Sequence, residues 1–445
     1  MPDTANPALA SNIVAEIIDD GQVSGQQILV VGLCMFFNML DGFDITAMAV
    51  IASSVSEELQ LTADRLGLIF SFALAGMMTG AMLLAPVSDV IGRRKLIILS
   101  VVMVGVSILF TANASTLGEF IVLRFISGLG AGALLACQAT LTAEYSPKKY
   151  RALSVAAATA GYPLGAMMTS VIAGFVLPEY GWRGMFWFGG AVTLGMGLIA
   201  WALIPESLKY LFERRPPNAL TSVNKILCKM KKDTLDELPV ITKERAQKKG
   251  SIGGNMLSLL AKEHRVATLT LWAVFFMCFA ALYFLMSWIP QLMEQTGYPP
   301  ATGRSAFFLF NLGGVIGILV LGVMSTRWRL SNLVSVFLIA AAVCMMAFAM
   351  APNQLSLLMV LIFLIGLLQQ GGFVGLYATA AMTYPTEIRS TGIGWAIGLG
   401  RSGAVVGPAV AGVLIAAGFS MSANFFFFAV PMAVSGLIAY WLKVR

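Results

Sequence analysis

The sequence contains few charged residues, and this scarcity excludes an ordinary soluble domain. Asp, Glu, Lys and Arg make up 11% of the 445 residues, whereas 58% are hydrophobic. A soluble globular domain carries about 25% charged residues. We therefore expect a chain that crosses a membrane many times. The net charge of +7 does not indicate nucleic-acid binding, because most basic residues fall in a few loops between apolar segments.

Residues that hold metals, disulfides or nucleotides are scarce as well. The one histidine, His264, stands among charged residues and predicts no metal site. The five cysteines do not show the spacing of a disulfide framework or a zinc site. No Walker A motif occurs, and the glycine-rich residues 128–133 lie inside an apolar run without a preceding strand. We expect no cofactor, no ATP-driven pump and no enzyme.

Long apolar segments, in contrast, recur along the whole chain. A helix needs about 20 apolar residues to cross a bilayer. The sequence contains twelve such segments and therefore predicts an all-α membrane protein with twelve transmembrane helices. The predicted spans are 26–53, 66–87, 96–112, 117–142, 152–177, 184–204, 266–293, 305–326, 333–351, 355–383, 390–417 and 421–442.

The distribution of basic residues predicts the orientation of these spans. All but five of the 29 Lys and Arg residues lie in loops or termini on one side of the predicted membrane. The opposite loops contain only Arg65, Arg183 and Arg304. Because loops rich in Lys and Arg face the cytoplasm, both termini are expected there. Residues 1–25 lack the basic region of a signal peptide, so the first span is expected to remain as a helix.

The order of the segments predicts an internal repeat. Residues 143–154 (AEYSPKKYRALS) recur in outline as residues 382–393 (MTYPTEIRSTGI), and each segment joins an even-numbered span to the next one. Two parallel repeats of six helices are a known transporter architecture. The expected organisation is a cytoplasmic segment 1–25, a six-helix bundle 26–204, a cytoplasmic loop 205–265, and a second six-helix bundle with a short cytoplasmic tail, 266–445.

Three motifs resemble those of a known family, the major facilitator superfamily. Residues 88–95 (SDVIGRRK) resemble its signature between helices 2 and 3, although Ala85 and Val90 replace the usual glycine and basic residue. Arg124 and the glycines that follow it are similar to the helix 4 motif. Residues 205–211 (PESLKYL) are similar to the signature at the end of helix 6.

The first span narrows the resemblance to one branch of that superfamily. Residues 18–21 (IDDG) and 40–44 (LDGFD) resemble the aromatic acid:proton symporters, the 4-hydroxybenzoate and benzoate type. This resemblance implies a protein with two pseudo-symmetric halves in the bacterial plasma membrane, which imports a small aromatic carboxylate with protons by alternating access. We expect it to be a monomer. The alternatives are proton-coupled uptake of a muconate- or quinate-like acid, efflux by proton antiport, and a transporter-like sensor.

Four charged residues lie far inside the predicted spans: Asp41, Asp44, Arg124 and Arg401. A charge at the centre of a membrane helix costs about 2.5–3.5 kcal/mol, so each needs a reason to be there. Asp41 and Asp44 share a helix face with Asn38 and are candidate proton sites; the alternative is a structural role for the pair. The four charges sum to zero. A substrate carboxylate adds one negative charge and one proton restores neutrality, which gives a reason for coupling the two.

Arg401 is the best candidate for the substrate carboxylate, because a guanidinium fits a carboxylate through two hydrogen bonds. Arg124 is either a second substrate residue or a helix–helix salt bridge, and we expect it to contact Asp41. Other polar or aromatic residues within the spans are candidates to complete the pocket. Those assigned to substrate binding are Asn38, Gln369, Gln370, Tyr377 and Trp288, and further candidates are Phe37, Gln138, Tyr162, Tyr283 and Asn311.

Charged residues at the cytoplasmic ends of the spans predict a gate. They could form ion pairs that hold the cytoplasmic side closed, while the basic ones also set the topology. The predicted gating residues are Asp89, Gly92, Arg93, Arg94, Glu144, Arg151, Glu387 and Arg389.

Overall fold

The computed structural model describes residues 23–238, 259–261, 263–384 and 388–441, with the backbone alone at 152, 389 and 390. The regular elements within these ranges are helices. Eleven of them are long and apolar enough to cross a membrane. The all-α membrane fold expected from composition is therefore confirmed at this level.

The first part of the chain forms helices that begin at well-defined caps. Ser24 caps α1 through a reciprocal pair of hydrogen bonds with Gln27, and Thr116 caps α5 in the same way with Glu119. Between α2 and α3 the chain continues through a π turn and a 3-10 turn. The helices are α1 Gly25–Leu59, α2 Ala63–Thr79, α3 Ser88–Ile91, α4 Arg93–Thr111, α5 Leu117–Tyr145 and α6 Arg151–Leu203.

Two short helices follow at the predicted cytoplasmic side, and six long ones complete the described chain. The short helices are α7 Leu208–Arg214 and α8 Ala219–Lys229; the long ones are α9 Arg265–Gln295, α10 Pro300–Met324, α11 Leu330–Met350, α12 Leu355–Thr383, α13 Arg389–Ala416 and α14 Met421–Trp441.

Helix α6 differs from the expectation of two separate spans at 152–177 and 184–204. The structure has one element of 53 residues there, interrupted at Gly181, whose φ of 61° is in the left-handed region that glycine tolerates. A straight helix of this length would measure about 80 Å, whereas the apolar core of a bilayer is about 30 Å thick. Apolarity alone does not reveal that the chain stays helical up to the turn and beyond it.

Close helix pairs recur in the same order along the chain. Helix α1 contacts α6, α2 contacts α5 and α4 contacts α6; likewise α9 contacts α13, α10 contacts α12 and α11 contacts α14. Small residues permit this approach, because a Cβ at Gly42 would collide with the carbonyl of Tyr162, and one at Gly403 with the carbonyl of Phe276. The first group of helices, α1–α6, also contacts the second group, α9–α14. These contacts join α2 to α13, α6 to α10 and α1 to α9.

The contact between α2 and α13 lies toward the predicted outer side. The Ser71 hydroxyl donates to the carbonyl of Val405 at 2.6 Å. Phe70 packs edge-on against Trp288 of α9 with 5.5 Å between ring centroids. The two groups of helices therefore meet closely around these residues.

Candidate functional site

The charged residues of α1 and α5 form one complete ion pair. Arg124 donates to the Asp44 carboxylate at 2.8 Å and to the Asp44 backbone carbonyl at 3.1 Å. Ser127 donates to the other carboxylate oxygen at 2.8 Å. Both charged side chains are 1% exposed. The expected contact of Arg124 with Asp41 is therefore wrong. Arg124 and Ser127 both bind the Asp44 carboxylate, and Asp41 takes no part in these contacts.

Asp41 lies one turn before Asp44 and has a different environment. Its side chain is 4% exposed, yet neither carboxylate oxygen has a hydrogen-bond partner among the described residues. The charge of Arg401 acts on this carboxylate from α13. Asp41 is thus a buried acid that is close to a cation but not bound to it.

Arg401 is a basic residue that, like Asp41, has no partner among the described residues. It is partly exposed, and within the described ranges its guanidinium forms no ion pair or hydrogen bond. Its charge lies within electrostatic range of Asp41 and of the hydroxyls of Tyr162, Tyr283 and Tyr377. The site therefore combines residues from α1, α6, α9, α12 and α13.

Aromatic rings from α9 and α12 pack together beside these charges. The Phe279 ring stacks on Tyr283 at 6.1 Å and meets Phe373 edge-on at 4.7 Å. Tyr377 is edge-on to both Phe275 and Phe373 at 5.4 Å. The Tyr283 hydroxyl lies near that of Tyr162, which is buried and has no hydrogen bond of good geometry. A planar aromatic group would find ring faces and edges here.

The amide side chains predicted for the pocket are buried with free polar atoms. Gln369 is 0% exposed, and neither atom of its amide has a partner in the described chain. Gln370 packs against Gly314 of α10. Asn38 donates to the Cys34 carbonyl at 3.5 Å, while its Oδ1 has no partner among these residues. Their free atoms make them available to a ligand or water.

Trp288 has a different setting. It is 0% exposed, and its indole nitrogen donates to the carbonyl of Pro408 at 3.1 Å. Its ring contacts Phe70 of α2. Trp288 therefore joins helices at the outer contact, and its predicted role in substrate binding has no support from this geometry.

A network at the predicted cytoplasmic side joins the predicted gate to residues 205–211. Arg93 forms an ion pair with Glu144, and Ser207 donates to Glu144 at 2.6 Å. The backbone nitrogen of Arg94 donates to Glu206 at 3.0 Å. Two sequence motifs more than a hundred residues apart thus form one structure. The gating set omitted Glu206 and Ser207, although a carboxylate next to a proline at a helix end was a usable signal.

The remaining predicted gating residues are placed as follows. Gly92 adopts a φ of 99°, which strains any other residue, and a Cβ there would lie against the Glu206 carboxylate. Asp89 is 57% exposed and lies 4.0 Å from Arg93. Arg151 donates to the Ser146 carbonyl at 3.3 Å. Glu387 and the side chain of Arg389 lie outside the described residues. Among the described residues no group of His, Cys, Asp and Glu could hold a metal ion.

Comparison with known proteins decides the family. The family profile of the Major Facilitator Superfamily matches residues 32–349 and 271–445. The chain belongs to this superfamily. It is therefore a multi-pass membrane transporter and not an enzyme, and the resemblance to this superfamily recognised in the sequence is confirmed.

Several relatives of this major facilitator protein carry the names of aromatic acid transporters. The chain is 29% identical to the 4-hydroxybenzoate transporter PcaK of Acinetobacter baylyi, with 95% of this chain and 93% of that protein covered. It is 28% identical to a gallate transporter of Pseudomonas putida, with the same shares covered. It is 30% identical to a gentisate transporter of Corynebacterium glutamicum, with 93% and 87% covered. The resemblance to a family of aromatic acid transporters is confirmed.

Solved structures with the same fold include sugar transporters. The inward-open xylose transporter XylE of E. coli aligns with a TM-score of 0.72 at 16% identity, covering 94% of this chain and 96% of XylE. An inward-facing bacterial homologue of the human lysosomal transporter Spinster aligns with a TM-score of 0.71 at 16% identity, covering 94% and 97%. At this identity the likeness concerns the fold alone.

Proposed function

We propose that this protein imports an aromatic carboxylate, of the hydroxybenzoate type, together with a proton across the bacterial plasma membrane. The names of the relatives support the substrate class, since they include transporters of 4-hydroxybenzoate, gallate and gentisate. The geometry of Asp41 and Arg401 supports the coupling. That geometry is the observation on which the proposal rests.

Arg401 receives the substrate carboxylate in this proposal. Its guanidinium is partly exposed and has no partner in the described chain, and a charge within a membrane span is costly unless it is paired. A carboxylate satisfies it through two parallel hydrogen bonds, which a guanidinium forms better than an ammonium group. Arg124 is less suited to this role, because Asp44 already occupies it.

Asp41 carries the proton. Asp44 is held by Arg124 and Ser127, so its charge is compensated within the protein. Asp41 has no such partner, and its charge opposes that of a bound substrate anion. Protonation of Asp41 removes this repulsion and keeps net negative charge from moving inward against the membrane potential, which would cost about 2.3 kcal/mol per 100 mV.

The aromatic lining favours a ring-containing substrate over a muconate- or quinate-like acid. The rings of Phe279, Phe373 and Tyr377 pack edge-to-face beside the charges. Such arrangements contribute about 0.5–1.5 kcal/mol for each added aromatic pair. A non-aromatic acid gains the carboxylate contact but not this contribution.

Transport follows alternating access between two six-helix halves, residues 26–204 and 266–445, with both termini in the cytoplasm. In this view α6 crosses the membrane twice and turns at Gly181, which brings the crossings to twelve. The recurring helix pairs support two equivalent halves. A monomer suffices, because the residues of the site come from one chain.

Uptake into proteoliposomes tests this function. The protein is reconstituted, an inward proton gradient is imposed, and accumulation of labelled 4-hydroxybenzoate, muconate and quinate is measured. We expect gradient-driven accumulation of the aromatic acid, which a protonophore abolishes. Preferred uptake of a non-aromatic acid would show that aromatic carboxylates are not the substrate class. Accumulation driven by an outward proton gradient would indicate antiport. Binding of the acid without transport would indicate a sensor.

A further inference from the structure

Helices α1 and α5 contact each other along one face of each helix. At one end Arg124 and Ser127 of α5 bind Asp44 of α1. At the other end the side chain of Thr142 lies near Cys34, without a hydrogen bond of good geometry. Residue numbers rise along α1 as they fall along α5, so the two helices are antiparallel. The contacts at both ends fix which side chains lie between them.

Three polar side chains lie between these two contacts. Asn38 and Asp41 follow Cys34 at spacings of four and three residues and so share its face of α1. Gln138 lies four residues before Thr142 on α5, on the face turned toward α1. Together they form a file that extends from Asp41 toward the cytoplasmic end of both helices.

The polar atoms of this file are buried without partners. Both oxygens of Asp41, the Oδ1 of Asn38 and both amide atoms of Gln138 have no hydrogen-bond partner among the described residues. Exposure is 4% for Asp41, 3% for Asn38 and 1% for Gln138. Each buried polar group without a partner costs about 1–3 kcal/mol. Since the surrounding helices supply none, water is the natural partner for these atoms.

The file ends near the cytoplasmic turn. Asp41 lies seven residues after Cys34, about 10 Å along the helix axis. The side chain of Cys137, next to Gln138, lies near Ser88, at the start of the short α3 helix. Arg93 follows that helix and pairs with Glu144. Gln138 therefore lies next along α5 to a residue near the cytoplasmic turn, at the cytoplasmic side of Asp41.

We propose that the file is the route by which the transported proton leaves Asp41 for the cytoplasm, and that Gln138 positions the water molecules that conduct it. The inference rests on the proposed proton symport. The proton leaves the Asp41 carboxyl, which becomes a carboxylate, and passes along water to the cytoplasm. Gln138 donates and accepts hydrogen bonds but neither gains nor loses a proton, so it is a positioning residue.

Asp41 also faces groups outside the file. Asp44 lies on its own helix, Arg401 acts on it from α13, and the hydroxyls of Tyr162 and Tyr283 lie near it from α6 and α9. These groups surround the acid on the side of the substrate. The file between α1 and α5 is a separate path, which leaves the carboxylate on the cytoplasmic side.

The test compares net uptake with substrate exchange. Net uptake requires Asp41 to release its proton in every cycle, whereas exchange of labelled for unlabelled 4-hydroxybenzoate at equal pH does not. We expect Gln138→Leu to lower gradient-driven uptake by on the order of tenfold while exchange stays near that of the parent. Gln138→Asn, which keeps an amide, should recover part of the uptake. Ser100→Ala, which removes a buried unpartnered hydroxyl from α4, is the matched control and should change neither rate.

The outcomes separate this inference from the proposed function. Gln138→Leu protein with normal uptake, or with equal losses of uptake and exchange, would overturn the route and leave Gln138 a structural role. Parent protein that shows exchange but no gradient-driven uptake would instead refute proton symport itself.

Discussion

Arg124 and Asp44 form a buried pair in which the guanidinium reaches the carboxylate at 2.8 Å and the backbone carbonyl of the same residue at 3.1 Å. The pair joins α5 to α1 and compensates both charges. Asp41, three residues earlier on α1, is as deeply buried and has no partner among the described residues. The two carboxylates of one sequence motif therefore differ in their contacts: Asp44 binds Arg124 and Ser127, whereas Asp41 has no partner among the described residues.

The two acids should differ in their effect on stability. Asp44→Ala leaves Arg124 as an uncompensated buried charge, and breaking such a pair costs about 3–5 kcal/mol. Asp41→Ala removes a carboxylate that has no partner, so it should leave stability unchanged or raise it. Thermal unfolding of both purified variants in the same detergent measures the difference. Equal melting temperatures would show that the Asp44 pair does not stabilise the fold.

The two acids should also be separable in transport. Asp41→Asn keeps the shape of the side chain but cannot take up a proton, so accumulation driven by a pH gradient should vanish. Exchange of substrate at equal pH should persist, because a neutral side chain resembles the protonated carrier. The measurement is the ratio of the two rates in proteoliposomes. Gradient-driven accumulation at the parent level would exclude Asp41 as the proton carrier.

The sequence predicts which charges are buried but not how they pair. Hydropathy and distance along each span place Asp41, Asp44 and Arg124 deep in the membrane. The two acids are only three residues apart, about 4.5 Å along the helix. That difference is no larger than the uncertainty of 2–4 residues in a predicted helix end. Whether Arg124 pairs with Asp41 or with Asp44 depends on how far α1 and α5 are shifted along each other. The packing of their glycines and side chains determines this shift.

The cytoplasmic network shows a similar limit. The motif around Asp89 and the residues 205–211 are each visible in the sequence, and the family signature predicts a role for both. Their contact depends on the fold of more than a hundred residues between them, so nothing local indicates that Glu206 binds the turn at Gly92. The same holds for Tyr162 and Tyr283, which only the tertiary structure brings together.

Gly92→Ala should slow transport without changing substrate affinity. The φ of 99° at Gly92 is strained for any other residue, at a cost of about 1–3 kcal/mol, and a Cβ would collide with Glu206. The turn contacts Glu206 and Tyr210 at the predicted cytoplasmic side, so substrate binding at Arg401 should not change. Turnover and substrate affinity are measured in the same preparation. Gly174→Ala is the control, since a Cβ there meets nothing within 4 Å; normal turnover of Gly92→Ala would remove the turn from the gating cycle.

Tyr162→Phe should weaken binding of ring-hydroxylated acids selectively. The Tyr162 hydroxyl is buried without a hydrogen bond of good geometry and lies near Asp41 and Tyr283. A hydroxyl on the substrate ring would satisfy it, a contribution of about 1 kcal/mol. Affinity for 4-hydroxybenzoate should therefore fall about fivefold, while that for benzoate stays the same. Tyr180→Phe, at an exposed position of α6, is the control; equal losses for both acids would place the ring hydroxyl elsewhere.

The central claim is that Arg401 binds the substrate carboxylate, and the most direct test is the substrate affinity of folded Arg401→Ala protein. The guanidinium has no partner to lose within the described chain, so the variant should fold. We expect affinity for 4-hydroxybenzoate to fall on the order of 100-fold in Arg401→Ala and about tenfold in Arg401→Lys, which keeps the charge without the fork. The amide analogue, 4-hydroxybenzamide, should bind the parent poorly and lose little more in Arg401→Ala. Unchanged affinity of Arg401→Ala for 4-hydroxybenzoate would contradict the claim and move the carboxylate site away from α13.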